Sequence, residues 1–230
     1  MKHIFLNHPT RGRSDKIFET FKNFVDNSSK KNYITHWFSI DSDDPHLSLY
    51  YNSVKQCKEY GIDKNVTVVL HEENNITVVE AASRAYTQDI LNSYDILACI
   101  SDDFRMPENW DNLIIEQFDL YGYNKILKTT QPNARQDLIA IQIAGHQFWK
   151  DYGSFFYHEY PSMYADDDMT GWAYLNDRVI QAPHIICKHL YPGYLPESFI
   201  WDETYTRENQ QHFHDVGKQI FERRKSNGFK

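Results

Sequence analysis

Two runs of carboxylates sit beside apolar segments that would hold them in place. The first, Ser101-Asp102-Asp103, comes directly after Ile96-Leu97-Ala98-Cys99-Ile100. Hard divalent cations take oxygen ligands, and Mg2+ or Mn2+ commonly accepts one or two carboxylates while substrate phosphates complete the shell. Carboxylates placed where a buried strand surfaces therefore suit a metal–diphosphate site, the plainer alternative being a solvated loop or a helix cap. The second run, Asp166-Asp167-Asp168, precedes Met169 and the apolar Trp172-Ala173. A carboxylate beside others is pushed toward its protonated form and so toward useful basicity, which a general base for an acceptor hydroxyl needs. The same run also reads as the acidic first turn of a helix, which the macrodipole favours, and both readings can hold. Two cations, Arg11 and Arg13, lie in a turn-rich stretch after the first apolar segment, and a guanidinium there matches phosphate oxygens or stacks on a base unless it is simply solvated.

These residues need a scaffold, and the patterning predicts one. Lys2 to Leu6 reads as a strand that breaks at Asn7, and Ile17, Phe18, Phe21, Phe24 and Val25 place a helix over Lys16 to Phe24. Tyr33–Ile40 and Val66–Leu70 read as further strands, each followed by a polar loop, Ile76–Leu91 as a helix, and Asp95–Ile100 as a fully buried parallel strand. Four strands that end in polar loops and alternate with helix-length segments imply an α/β fold with a largely parallel sheet, in which ligands sit at the carboxyl ends of the strands. Leu138–Ile143 and Val179–Lys188 are the strand candidates of the second half, and Thr204–Lys230 reads as a tail helix with a frayed end.

The strand ends resemble those of the nucleotide-diphospho-sugar glycosyltransferases of GT-A fold, in the manner of family 2. His8-Pro9-Thr10-Arg11-Gly12-Arg13, Ser39-Ile40-Asp41-Ser42-Asp43-Asp44-Pro45, and Asn75 leading into Val79-Glu80-Ala81-Ala82-Ser83-Arg84 are similar to that family's donor-binding half, and Met106-Pro107-Glu108-Asn109-Trp110-Asp111 follows the acidic motif. The resemblance implies a Rossmann-like fold, a mixed and mainly parallel central sheet flanked by helices. It implies one domain over 1–230, with a donor-nucleotide half (1–110), an acceptor and catalytic half (111–203) and a C-terminal tail (204–230). It implies Mn2+ or Mg2+ as cofactor and a nucleoside-diphosphate sugar, a UDP-sugar first, as donor. His8, Pro9, Arg11, Arg13, Asp41, Asp44, Asn75 and Arg84 become donor-binding candidates, with Asp41 and Asp44 directed at base or ribose. Ser-Asp-Asp stands where many members have Asp-x-Asp, so Asp103 becomes the direct metal ligand and Asp102 a ribose or supporting residue. His189, after the apolar His184-Ile185-Ile186-Cys187, matches a histidine that completes the metal shell in many relatives, the alternative being a bystander. Asp166 takes the place of the base in inverting members, with Asp167 as runner-up. Trp201-Asp202-Glu203-Thr204-Tyr205 resembles a tail that closes over the donor as a lid, or else a loop packing its aromatics on the core.

Composition sets the outer bounds. The 230 residues, at about 150 per domain, favour one large domain, and 41% hydrophobic with 15% aromatic content provides a sizeable core. A net charge of −8 supplies no general basic field for nucleic acid. A DNA acceptor, such as the hydroxylated bases glycosylated by some virus-encoded relatives, would need a local track, for which Lys125, Lys128, Lys218, Arg223, Arg224 and Lys225 are the candidates. A carbohydrate acceptor would instead dock near aromatics such as Trp149 and Trp172. Three separated cysteines fit a reducing compartment, and the short apolar runs predict a soluble, cytoplasmic chain with no membrane partner. Two rival readings use the same residues: a metal-dependent nucleotidyl or phosphoryl transferase, and a non-catalytic sugar-nucleotide binding module.

Overall fold

Burial on both faces along the first and fourth strands determines the architecture. In a computed structural model that describes residues 1–74, 77–132, 134–194 and 201–230, the chain runs β1 (His3–Thr10), α1 (Ile17–Asp26), β2 (Tyr33–Asp41), α2 (Leu47–Gly61), β3 (Val66–Glu73), α3 (Val78–Ser83), α4 (Gln88–Ser93), β4 (Ile96–Cys99) and β5 (Phe104–Arg105). It continues with α5 (Trp110–Tyr121), β6 (Ile126–Thr130), β7 (Gln142–Gly145), α6 (His146–Tyr152), α7 (Ala165–Leu175), β8 (Val179–Ile186), β9 (Lys188–His189), α8 (Glu203–Glu208) and α9 (Gln211–Ser226). Seven strands form one sheet in the order β3-β2-β1-β4-β7-β6-β8, and β5 pairs with β9 in a separate ladder. The β3-β2-β1-β4 half is parallel, β7 runs antiparallel to β4 and β6, and β8 lies parallel to β6. Successive side chains of a strand face opposite sides. Ile4, Leu6, Ile96 and Ala98 therefore join Phe24, Trp110, Ile114 and Phe118 of α1 and α5 on one face. Phe5, Leu97 and Cys99 join Ala82, Leu91, Phe148, Trp149, Met169 and Ala173 of α3, α4, α6 and α7 on the other.

Several boundaries differ from the patterning, each for a physical reason. Strand β1 does not break at Asn7 but pairs with β2 through Thr10↔Ile40. Pro9 is tolerated because it shares the edge of Asn7, whose carbonyl accepts from Ile100, and β4 has ended before Pro9 would need a partner on that side. The expected single helix over Ile76–Leu91 is two, each started by a threonine. Thr77 makes a capping box with Glu80, and the Thr87 hydroxyl accepts the Ile90 amide. Its beginning at Ile76 lies outside the described residues. The strand expected at Leu138–Ile143 is shifted to Gln142–Gly145, because the apolar run Leu138–Ile141 continues past the strand into buried loop, where the Ile139 amide donates to the Thr170 hydroxyl at 3.1 Å. Strand β6 is short, only Ile126–Thr130, and carries Lys128, so its period is weak. The tail expected as one helix with a frayed end is two helices, and its end is held, since Arg224 donates to the Phe229 and Lys230 carbonyls. Gly217 of α9 sits where any Cβ would overlap the Met163 carbonyl, and Ile220 packs with Val79, Tyr160 and Ala165.

Gly145, at the join of β7 and α6, has no room for a methyl group, since a Cβ would overlap the Tyr123 carbonyl. Gly145→Ala is expected to destabilise the fold by about 1–3 kcal/mol, the usual scale of overpacking against atoms that cannot retreat. A denaturant midpoint equal to the parent's would show that the Tyr123 segment yields.

Candidate active site

Strand order reverses between β1 and β4, and a crevice outside the carboxyl ends of the strands opens at such a switch point. A cleft of about 340 Å3 lies there, with Thr10, Arg11, Asp41, Asp103, Asp166 and His189 in its lining.

Asp103 and His189 come from segments 86 residues apart, and the β5–β9 ladder joins them. Phe104 pairs with His189, and the Leu190 amide donates to the Asp103 carbonyl at 2.8 Å. His189 Nε2 lies 3.3 Å from Asp103 Oδ2, which also accepts the Tyr205 hydroxyl at 2.8 Å, while the Ser101 hydroxyl donates to Oδ1. Burial alone would push the Asp103 carboxyl up, but the hydrogen bond and charge of His189, aided by Ser101 and Tyr205, outweigh it and hold the group well below the usual range. An ionised carboxylate beside an imidazole is an oxygen–nitrogen donor pair that fits Mn2+ or Mg2+. Among the described residues no group of three or more His, Cys, Asp or Glu could hold a metal by itself, so a cation here would draw the rest of its shell from substrate and water.

Asp102 also lines the cleft, with its carboxylate taken up by groups beneath it. Its Oδ1 is 3.0 Å from His8 Nε2, its Oδ2 accepts the Thr10 hydroxyl at 3.0 Å, and Arg13 Nη1 stands 3.9 Å away. Behind it His8 Nδ1 lies 2.9 Å from His36 Nε2, and burial together with His8 holds His36 well below its ordinary value, hence neutral. A proton on Nε2 of each ring lets the contacts run in series: His36 donates to His8, and His8 to Asp102. His8 is fully buried and does not line the cleft, so it braces the acidic loop. Thr10 lies inside the His8–Arg13 stretch without being a candidate of its own, and His36 lies in no sequence motif.

The basic residues after β1 serve different partners. Arg11 donates from Nη1 to Asp41 at 2.9 Å and to Asp43 at 2.5 Å, and with Pro9 it lines the cleft. Arg84 Nη2 donates to the other Asp41 oxygen at 2.5 Å and to the Asn74 carbonyl at 2.6 Å, so Asp41 is gripped between two guanidinium groups. Arg84 itself is away from the cleft wall. Asp44 is also taken up by the fold: its oxygens accept the Gly12 and His46 amides at 2.7 Å each, which staples the β1–α1 loop to the turn before α2, and it does not face the cleft. Arg13 donates to Asp202 from Nε at 3.0 Å and Nη2 at 2.9 Å, with its guanidinium 3.9 Å over the Tyr205 ring. Lys16 adds a third bond to Asp202 at 2.7 Å; burial would raise that carboxyl, but these donors bring it down to about 2. Asp202 also caps α8. The tail segment thus covers the β1 end of the cleft. Asn75 lies outside the described residues.

The opposite wall is the first turn of α7. Asp166 lines the cleft, and burial, with the neighbouring Asp167 charge second, pushes its carboxyl up to about 6. Asp167 does not line the cleft; its Oδ1 is 2.8 Å from Arg135. Asp168 is fully buried and paired with Arg224 of α9. Arg224 therefore cannot belong to a basic track on the surface. Lys128 is buried, Arg223 is paired with Glu159 at 2.5 Å, and Lys125 donates to the Asp177 carbonyl at 2.8 Å, while Lys218 and Lys225 are exposed on α9. The aromatic platform is likewise displaced: Trp149 is fully buried and Trp172 packs against the core, while Phe104, Phe156, Tyr191 and Tyr205 lie in the cleft wall.

No protein-family model and no curated protein matches this chain. Solved structures do. S. aureus TarS superposes with a TM-score of 0.58 at 15% identity, over 84% of this chain and 37% of its own. The mannosyltransferase PcManGT from Pyrobaculum calidifontis, in complex with GDP-Man and Mn2+, gives 0.59 at 13% identity, over 84% of this chain and 58% of its own. S. aureus TarS 1-349 in complex with UDP-GlcNAc gives 0.56 at 14% identity, over 98% of this chain and 73% of its own. The chain thus spans about a third to three fifths of the first two. What these matches share with it is the architecture already described, a mixed and mainly parallel sheet flanked by helices, which is the Rossmann-like GT-A fold.

Proposed function

We propose that this chain is a metal-dependent glycosyltransferase that moves a sugar from a nucleoside-diphosphate sugar, a UDP-sugar first, to an acceptor hydroxyl with inversion. The observation that carries the reading is one cleft at the switch point that contains both an ionised carboxylate–imidazole pair, Asp103 and His189, and a carboxylate held near neutrality, Asp166. The nucleotide would occupy the 1–110 half, with Pro9, Arg11 and the doubly held Asp41 at base and ribose and Asn75 close in sequence. His8 and Arg84 support these from behind, and Asp102, itself on the cleft wall, stands beside Asp103. Asp103 and His189 would hold Mn2+ or Mg2+, which when bound supplies positive charge against the diphosphate leaving group. Asp166 takes the proton of the acceptor hydroxyl as its oxygen bonds to the anomeric carbon. The bond from that carbon to the diphosphate breaks with its electron pair leaving on the nucleoside diphosphate. Asp167 remains with Arg135 and acts on Asp166 through its charge.

Withdrawal of Lys128 and Arg224 into the interior favours a carbohydrate over a DNA acceptor. Among the described residues no helix is long and apolar enough to cross a membrane. Incubation with UDP- and GDP-sugars and Mn2+ is expected to release the nucleoside diphosphate. Release of sugar 1-phosphate from these donors, or of pyrophosphate from a nucleoside triphosphate, would make the protein a nucleotidyl transferase, and binding without turnover of any donor would leave a binding module.

A further inference from the structure

The α9 helix has no part in the chemistry above, yet it reaches directly behind the cleft wall. Asp168 is two residues from Asp166 in the first turn of α7. Its Oδ2 accepts Arg224 Nε at 2.5 Å and its Oδ1 accepts Nη2 at 3.2 Å; the Tyr152 and Tyr160 hydroxyls donate to the same carboxylate at 2.9 and 3.0 Å. Arg224 then donates to the Phe229 and Lys230 carbonyls at 3.0 Å each, and its guanidinium lies 3.5 Å over the Tyr157 ring. One side chain, 5% exposed, thereby ties together α7, the loop before it and the last two residues of the chain.

The loop so held needs holding. Tyr164, the residue before α7, adopts φ +71, a left-handed conformation that a bulky side chain takes only when its surroundings impose it. Gly217 of α9 packs against the Met163 carbonyl and the Tyr164 ring at that point, with no space for a Cβ. Ser162, Met163, Ala165 and Asp166, which follow one another around this turn, all line the cleft. The contacts that force the turn thus come from α9, and the groups the turn presents face the substrate side.

We propose that Arg224 is a positioning residue: by clamping Asp168 it fixes the first turn of α7 and so the aim of Asp166 into the cleft. This rests on the reading of Asp166 as the base. A two-pronged guanidinium–carboxylate bond fixes orientation as well as distance, which a lysine does not reproduce. It also leaves Asp168 electrically compensated. Asp166 therefore feels Asp167 and Arg135 at its own turn, rather than a second bare carboxylate behind it.

The test compares Arg224→Lys, Arg224→Met and the double variant Arg224→Met/Asp168→Asn with the parent. Transfer kinetics, donor affinity, and the titration of the Asp166 carboxyl followed by carbon-13 NMR are the readouts. Misplacing a reacting group by about an ångström costs up to about a hundredfold. Arg224→Met is therefore expected to lower kcat about tenfold or more with KM for the donor within about twofold, and to move the Asp166 titration upward, while Arg224→Lys recovers only part of the rate. Should Arg224→Met fail to fold, the double variant, which leaves no unpaired buried charge, decides: lowered kcat with intact donor binding supports the clamp. Parental kcat in a folded Arg224→Met or double variant would overturn it, as would equal losses of donor affinity and rate. A parent that transfers no sugar fails the glycosyltransferase reading instead, and the NMR titration then still reports whether Arg224 governs the environment of Asp166.

Discussion

Asp166→Asn is expected to lower transfer by at least about a hundredfold, the scale of losing a general base, with donor affinity unchanged. The amide keeps the shape of the carboxylate and removes its basicity, and neither Asp103 nor Asp41 is among its contacts. The pH profile provides a second measurement. With the Asp166 carboxyl pushed up to about 6 by burial and by Asp167, parental activity should rise with pH along an acid limb near 6, where the base loses its proton. Stability should move the opposite way. A carboxyl raised from about 4 favours the folded state while protonated, an advantage complete below about pH 4 and lost as pH rises through 6. Asparagine carries no charge to desolvate, so at pH 8 the variant should unfold at the same temperature as the parent or higher, and the difference should shrink toward pH 4. Catalytic loss with unimpaired stability separates a functional carboxylate from a structural one. Near-normal turnover in Asp166→Asn would transfer the role to Asp167 or to no residue.

The parts of the site that were legible in the sequence are those whose signal is local. Ile96–Ile100 is apolar without interruption and stops at Ser101, so the surfacing of Asp102 and Asp103 at a strand end could be read directly. The division of labour between these two neighbours could not. Whether a carboxylate turns to the cleft or inward depends on His8 and Thr10, more than ninety residues earlier, and on His189, more than eighty later. The same holds for Asp44, which accepts the Gly12 amide, and for Arg84, which donates to the Ile40 carbonyl and the Asp41 carboxylate, partners far away in sequence. In the acidic run, Asp168 reads like its neighbours, although it is the buried one, because Arg224 lies 56 residues away. The basic tail had the composition of a surface track, yet α9 turns Arg224 inward and leaves Arg223 and Lys225 outside. Strand ends were blurred wherever both faces are buried, as at β7, since an apolar run then carries no period to mark where pairing stops.

Asp103→Ala is expected to abolish the Mn2+-dependent strengthening of nucleoside-diphosphate binding while leaving the chain folded. The variant keeps His189, and a single imidazole in a cleft is a poor site for a hard divalent cation that prefers oxygen ligands. The groups that lose the Asp103 carboxylate, the hydroxyls of Ser101 and Tyr205 and the ring of His189, belong to partly buried or cleft-lining residues within reach of water. The sheet should be unaffected, because β4 ends at Cys99 and its ladders to β1 and β7 do not include Asp103. Stability should change in a defined sense. In the parent, the carboxyl is held below its usual range because His189, Ser101 and Tyr205 together outweigh burial. A depressed carboxyl contributes stability above about pH 4, where the unfolded group is also ionised, and loses it as pH falls through the folded value. The alanine variant lacks that contribution, so its unfolding temperature should fall less steeply than the parent's below pH 4. Calorimetric titration of UDP with and without Mn2+, on parent and variant, measures the main effect. If UDP binds both proteins with the same dependence on Mn2+, Asp103 is not a metal ligand, and the contacts it makes with His189 and Tyr205 serve only to close the α8 segment over the β1 end of the cleft.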